Sequence, residues 1–148
     1  MEAPAPAADS AGVRYIESSA LVAALLERDA VALTSVRTKG RQVTSALTIA
    51  EAARAILRAR AAARLTSDEE RAAVRALRRF ERRGYVVAVT DAVLARVRRP
   101  LPVEPVRTLD AVHLATAELL GEPPQLVTVV TRDARVRDNA RALGYAVE

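Results

Sequence analysis

Short apolar runs rich in β-branched residues recur at positions 13–17, 41–45, 85–89, 126–131 and 145–147, and longer stretches in which apolar residues return every third or fourth position lie between them. The first pattern is that of buried strands and the second that of amphipathic helices. Helices are expected at 20–28, at 48–65, from Ser67 to Arg83, after Thr90, at 109–120 and at 133–143. Their ends carry recognisable chemistry. Ser67-Asp68-Glu69-Glu70 reads as a capping box, Thr90 and Thr108 as N-caps, and Gly84, Gly121 and Gly144 as stops, with Pro100 and Pro102 ending the helix after Thr90.

Strands alternating with helices in this way build an α/β fold: a parallel sheet with helices on both faces, whose ligand sites lie outside the carboxyl ends of the strands. A length of 148 residues leaves room for one domain. The Ala- and Pro-rich residues 1–12 read as a loose, disordered tail and residues 13–148 as the domain. Neither a secretory signal nor an apolar run of membrane length is visible, so the expectation is a cytoplasmic protein with no membrane association.

Composition narrows the chemistry. Cysteine is absent and His113 is the sole histidine, which excludes disulfide frameworks, thiol catalysis and Cys- or His-rich zinc centres. Any metal must be held by oxygen. A net charge of +5 permits a polyanionic partner. The arginine stripes at 54–64 and 71–83 read as solvated helix faces, whereas Arg132, Arg135 and Arg137 flank Asp133 and are placed to touch a substrate. Aromatic residues are too few for a base-stacking platform.

Four carboxylates stand apart because they sit at element junctions in otherwise apolar text: Glu17 after the first strand, Glu51 in the first turn of its helix, Asp110 in the first turn after Thr108, and Asp133 after the fourth strand. Each has a structural reading. Thr48-x-x-Glu51 fits a capping box, Asp110 and Asp133 suit the positive end of a helix, and Glu17 could be an edge charge. One sheet edge would gather all four, however, and capping does not explain an acid at the end of an apolar strand. Converging carboxylates must share a proton or a cation, and Mg²⁺ or Mn²⁺ is the matching hard ion, able to activate water for attack on phosphorus. Ser18, Ser19 and Thr131 are the neighbouring hydroxyls, with helix capping the first expectation for the serines. His113, three residues after Asp110, is expected to be structural and to support that acid.

These residues carry a resemblance. Tyr15-Ile16-Glu17-Ser18-Ser19-Ala20-Leu21-Val22 is similar to the opening strand motif of the PIN-domain family, in particular of the VapC-type toxins of bacterial toxin–antitoxin pairs. Thr44-Ser45-Ala46-Leu47 with Glu51 resembles the second motif, Leu109-Asp110-Ala111-Val112-His113-Leu114-Ala115 the third, and Val130-Thr131-Arg132-Asp133 with Gly144 the fourth. The resemblance implies a three-layer α/β/α domain with a five-stranded parallel sheet, acting as a Mg²⁺- or Mn²⁺-dependent endoribonuclease on RNA, usually homodimeric and silenced by a cognate antitoxin. By position Glu17, Glu51, Asp110 and Asp133 would be the catalytic acids, with Glu17, Asp110 and Asp133 on the metal, Ser19 and Thr131 as auxiliary hydroxyls, and Arg132, Arg135 and Arg137 toward RNA. Glu17 departs from the family, where Asp is commonest. Two further readings stay open: a non-catalytic RNA- or protein-binding module of the same fold, and a nuclease of this fold without an antitoxin.

Overall fold

The computed structural model describes residues 12–148, so the tail expected over 1–12 lies, Gly12 apart, outside the described residues. β1 (Val13–Ile16) occupies the centre of a sheet, flanked in parallel by β2 (Arg41–Ser45) and β4 (Val127–Val130), with β3 (Tyr85–Val87) beyond β2 and β5 (Ala146–Val147) beyond β4. The order β3-β2-β1-β4-β5 is fully parallel. Chain direction across the sheet therefore reverses at β1, the topological switch point at which α/β sheets open a crevice. All five strands expected from the apolar runs are present, β2 with the expected bounds and the other four trimmed at their ends.

Between β1 and β2 run α1 (Ser18–Leu26) and α2 (Ala30–Arg37). α3 (Ala46–Ala61) and α4 (Ser67–Arg83) follow β2, α5 (Asp91–Val97) and α6 (Thr108–Glu118) follow β3, and α7 (Ala134–Ala142) follows β4. Ile16 and Val130 pack with Ala20, Leu21, Ile56, Leu77 and Phe80 of α1, α3 and α4 on one side of the sheet. Tyr15, Val43 and Val129 pack with Leu114, Val136 and Ala140 of α6 and α7 on the other. The result is the three-layer sandwich expected. Burying apolar side chains on both faces, at about 25 cal/mol per Å² removed from water, is its main driving force.

Several local readings change. α2 was not expected; Asp29 caps it, its carboxylate accepting from Ala32 N at 2.9 Å. The capping box that opens α4 is Thr66 with Glu69, one residue earlier than read: Glu69 N donates to Thr66 Oγ1 at 3.1 Å and Thr66 N to Glu69 Oε2 at 2.8 Å. Arg107 rather than Thr108 is the N-cap position of α6, without a side-chain cap bond. Gly144 does close α7, at φ +92°, a conformation that side chains with a Cβ resist. Gly12 allows a close approach, since a Cβ there would sit 2.8 Å from the Leu126 carbonyl oxygen.

Candidate active site

The carboxyl ends of β1 and β4 lie side by side, and the residues leaving them form the site. Glu17 N donates to Val130 O at 3.0 Å, continuing the ladder one step past β1 and so placing the Glu17 side chain beside Thr131. Glu17 is 2% exposed, and its carboxylate is surrounded by donors. Oε1 accepts from Ser18 Oγ at 2.7 Å and Ser19 N at 3.0 Å; Oε2 accepts from Thr131 Oγ1 at 2.7 Å and from the Ser19 hydroxyl. The helix cap expected of the serines is thus Glu17 itself. Its extra methylene lets the side chain fold back over α1, and four donors offset the cost of burying a carboxylate.

Asp133 divides its two oxygens. Oδ1 caps α7, accepting from Arg135 N at 2.8 Å and Val136 N at 3.0 Å, while Oδ2 faces Arg107. The capping reading of Asp133 holds for Oδ1, while Oδ2 is turned to Arg107. Asp110, in the first turn of α6, meets the same guanidinium: Arg107 Nε donates to Asp110 Oδ2 at 3.1 Å and Arg107 Nη2 to Asp133 Oδ2 at 3.3 Å. Burial pushes the Asp110 carboxyl above the ordinary carboxylate range; the Arg107 hydrogen bond opposes this, and the charges of Asp133 and Glu17 reinforce it. The Arg107 guanidinium is held more strongly protonated by its hydrogen bond to Asp110 and then by the charges of Asp110, Asp133 and Glu17.

Glu51 is the sixth residue of α3 rather than a first-turn residue, and the cap of that helix is Ser45, whose Oγ accepts from Leu47 N at 3.0 Å. Thr48 cannot form the capping box read for it: its buried hydroxyl has no partner. Glu51 instead bonds His113, Oε1 to Nε2, at 2.7 Å. His113 therefore supports Glu51 and not Asp110. A carboxylate only accepts, so Nε2 carries the proton and Nδ1 is left to accept from Tyr15 Oη at 3.0 Å. Burial, then the charge of Glu17, pushes the Tyr15 phenol up, keeping it a donor. His113 Nε2 also lies 3.4 Å from Ser18 Oγ and 3.8 Å from Glu17 Oε1. A continuous chain thus links Glu51, His113, Ser18, Glu17, Thr131 and Asp133, the last step being Asp133 N to Thr131 Oγ1 at 3.0 Å, and Arg107 joins Asp133 to Asp110.

Ser19 and Thr131, the two hydroxyls expected as auxiliaries, touch each other, Oγ to Oγ1, at 3.2 Å. Arg132 departs from its expected role: its guanidinium pairs with Asp29 at the start of α2, and its N–H donates to Ser19 Oγ at 2.8 Å. Arg135 is exposed and Arg137 half-buried on α7. Two residues escaped the sequence reading. Arg107 stands three positions before Asp110 at a helix start, a spacing that makes ion pairs; the role of His113 had no local signal, because Glu51 lies 62 positions away.

The donors suit a hard divalent cation. They are carboxylate oxygens at one sheet edge, and Asp110 and Asp133 already converge on one cationic group. Among the described residues no group of three or more acids or histidines is placed to hold a metal ion; Asp110 and Asp133 share the Arg107 guanidinium, and Glu17 is engaged by its hydroxyls.

Comparison with known proteins bears on this arrangement. A family profile for the PIN domain matches residues 14–142. Ribonuclease VapC35 of Mycobacterium tuberculosis is 39% identical, over 90% of this chain and 93% of its own length. Ribonuclease VapC46 of the same organism is 41% identical, over 90% of this chain and 94% of its own. In fold the chain is similar to PAE2754 of Pyrobaculum aerophilum (TM-score 0.61, 24% identity, 93% of this chain and 90% of that one). It is similar also to VapC20 of M. tuberculosis, described as a sarcin–ricin loop cleaving toxin (TM-score 0.61, 19% identity, 90% of this chain and 96% of that one). A profile match across most of the chain and two near-full-length relatives at about two-fifths identity establish that this protein belongs to the PIN-domain family, among its VapC-type members.

Proposed function

We propose that this protein is a metal-dependent endoribonuclease, the toxin of a toxin–antitoxin pair, acting in the cytoplasm. The observation that carries the reading is the convergence of Asp110 and Asp133 on the Arg107 guanidinium at the switch point of the sheet, with Glu17 and Glu51 joined to them through hydroxyls and His113. Curated relatives named ribonucleases cover the same length. In the described residues no helix is long and apolar enough to cross a membrane.

Asp110 and Asp133, with Glu17 behind them, would hold Mg²⁺ or Mn²⁺, which supplies charge neutralisation at the phosphoryl group and acidifies the attacking water. The chain's own residues do the remaining work. Thr131 and Ser19 hold the Glu17 carboxylate in one orientation, and His113 fixes Glu51, leaving its second oxygen free to accept a proton from water. Arg135 and Arg137 would meet the RNA backbone beside Asp133, as phosphate-binding arginines do.

The antitoxin would seat in the groove between α1, α2 and α4, a cavity of about 760 Å³. Leu25, Leu33 and Phe80 line its floor, and Arg28, Arg37 and Arg79 its rim. An apolar floor with a basic rim fits an acidic amphipathic segment. Homodimerisation would use α5, α6 and the C-cap of α6, which expose Leu94, Leu109 and Leu119 to roughly half of their surface.

The test is cleavage of RNA by the purified chain in Mn²⁺ or Mg²⁺. EDTA should abolish it, and Asp110→Asn should lower it roughly a hundredfold or more. Activity that survives either treatment overturns the reading. RNA binding without cleavage, indifferent to metal, would mark a non-catalytic module.

A further inference from the structure

Helix spacing accounts for the pairing of Arg107 with Asp110 but not for its reach to Asp133, 26 positions away. Arg107 occupies the N-cap position of α6 yet makes no cap bond, and its side chain, 68% exposed, turns instead to two carboxylates that are only 12% and 22% exposed. The segment leading into it is anchored. Glu104 accepts from Leu101 N at 2.9 Å and Val106 N at 2.7 Å, and Asn139 of α7, fully buried, accepts from Val103 N and donates to Val103 O, each at 2.9 Å. A rigid base thus carries a guanidinium that can leave without uncovering any core. Metal-free, Asp110 and Asp133 would repel each other across the position where Arg107 sits.

We propose that Arg107 is the resident counter-ion of the acidic site: it neutralises Asp110 and Asp133 in the empty site, and a divalent cation loads only by displacing it. The proposal rests on the metal-binding reading given above. Metal affinity is then set partly by a residue that is no ligand, and the two cations exclude each other.

Mn²⁺ titration of the full-length protein, with free Mn²⁺ followed by electron paramagnetic resonance at fixed ionic strength, reads this directly without RNA. Arg107→Met should bind Mn²⁺ roughly three- to tenfold more tightly than wild type, the range expected from losing two screened ion pairs. Arg107→Lys keeps the charge but cannot span two carboxylates with a planar fork, and should fall between them. Arg135→Met removes an exposed charge nearby and should leave the affinity close to wild type. Equal or weaker binding in Arg107→Met, or the same gain in Arg135→Met, overturns the counter-ion role and leaves the metal site standing. Absence of Mn²⁺ binding in every variant, or binding unchanged in Asp110→Asn, overturns the metal site and the proposal together.

Discussion

Asp110 combines burial with two acidic neighbours, and the cost of ionising it there is visible in its raised carboxyl. A carboxylate whose folded-state pKa is raised favours the fold most when protonated, so its contribution is fullest below the ordinary Asp value of about 3.9 and is lost as pH rises through the raised value. Asn does not titrate. In EDTA at pH 7, Asp110→Asn should therefore melt about 2–4 °C above wild type, with the difference closing toward pH 3.5. Calorimetry over that range checks it, and a variant less stable than wild type at pH 7 would contradict the repulsion argued for the site. At this scale the sequence was a good guide to which acids the fold gathers, because an acid at the end of an apolar strand has few structural excuses. It was a poor guide to their partners. His113 bonds Glu51 across three intervening elements, and Glu17 recruits Thr131 from a strand that is adjacent only after folding.

At the scale of elements, α2 shows what periodicity misses. Its eight residues, Ala30–Arg37, include Val31, Thr34 and Val36, whose branching lowers helix propensity, and only Asp29 signals its start. Tertiary contacts hold it: Arg14 of β1 donates to Ser35 O at 3.0 Å and to Glu148 at 2.9 Å, and Ser35 Oγ donates to Glu148 at 2.5 Å. Arg14, followed by Ser35, holds the Glu148 carboxyl below the ordinary range. A depressed pKa gives stability that is present above the unfolded value and lost as pH falls through the folded one. Glu148→Gln should accordingly lower the melting temperature by about 1–3 °C at pH 7, the discount reflecting a partly exposed partner. The loss should shrink as pH falls below the ordinary Glu value of about 4.3 and disappear once pH is below the depressed folded value; a loss that persists there would assign the effect to packing. Helices with polar starts were legible to within a residue or two, as Thr66 in place of Ser67 illustrates, since capping chemistry is local while exact boundaries are not.

Over the whole molecule, sheet order separates two surfaces. The acids stand at the carboxyl edge where β1 meets β4, and the groove of α1, α2 and α4 reaches Gly40 and Gln42 at the start of β2, toward the opposite edge. With cleavage proposed at the acids and antitoxin docking proposed in the groove, the two are open to independent change. Ala76→Arg, which would fill the groove from α4, should leave RNA cleavage near wild type while weakening the antitoxin complex at least tenfold, as a buried unpaired charge does. Neutralisation assays with the cognate antitoxin check this; unimpaired neutralisation would place the antitoxin elsewhere. Layers and strand count were readable from the alternation of patterns, because each β-α unit announces itself locally. The groove was not, since its walls come from helices far apart in the chain.

The paired hydrogen bonds between Asn139 and Val103 have a mechanical meaning for this architecture. They bolt the approach to α6 onto α7, and those two helices carry Asp110 in the first turn of one and Asp133 at the N-cap of the other. The gap between Asp110 and Asp133 is then a dimension of one rigid block. Docking events on the far side of the sheet can strain α1 and α4 while that gap keeps its width.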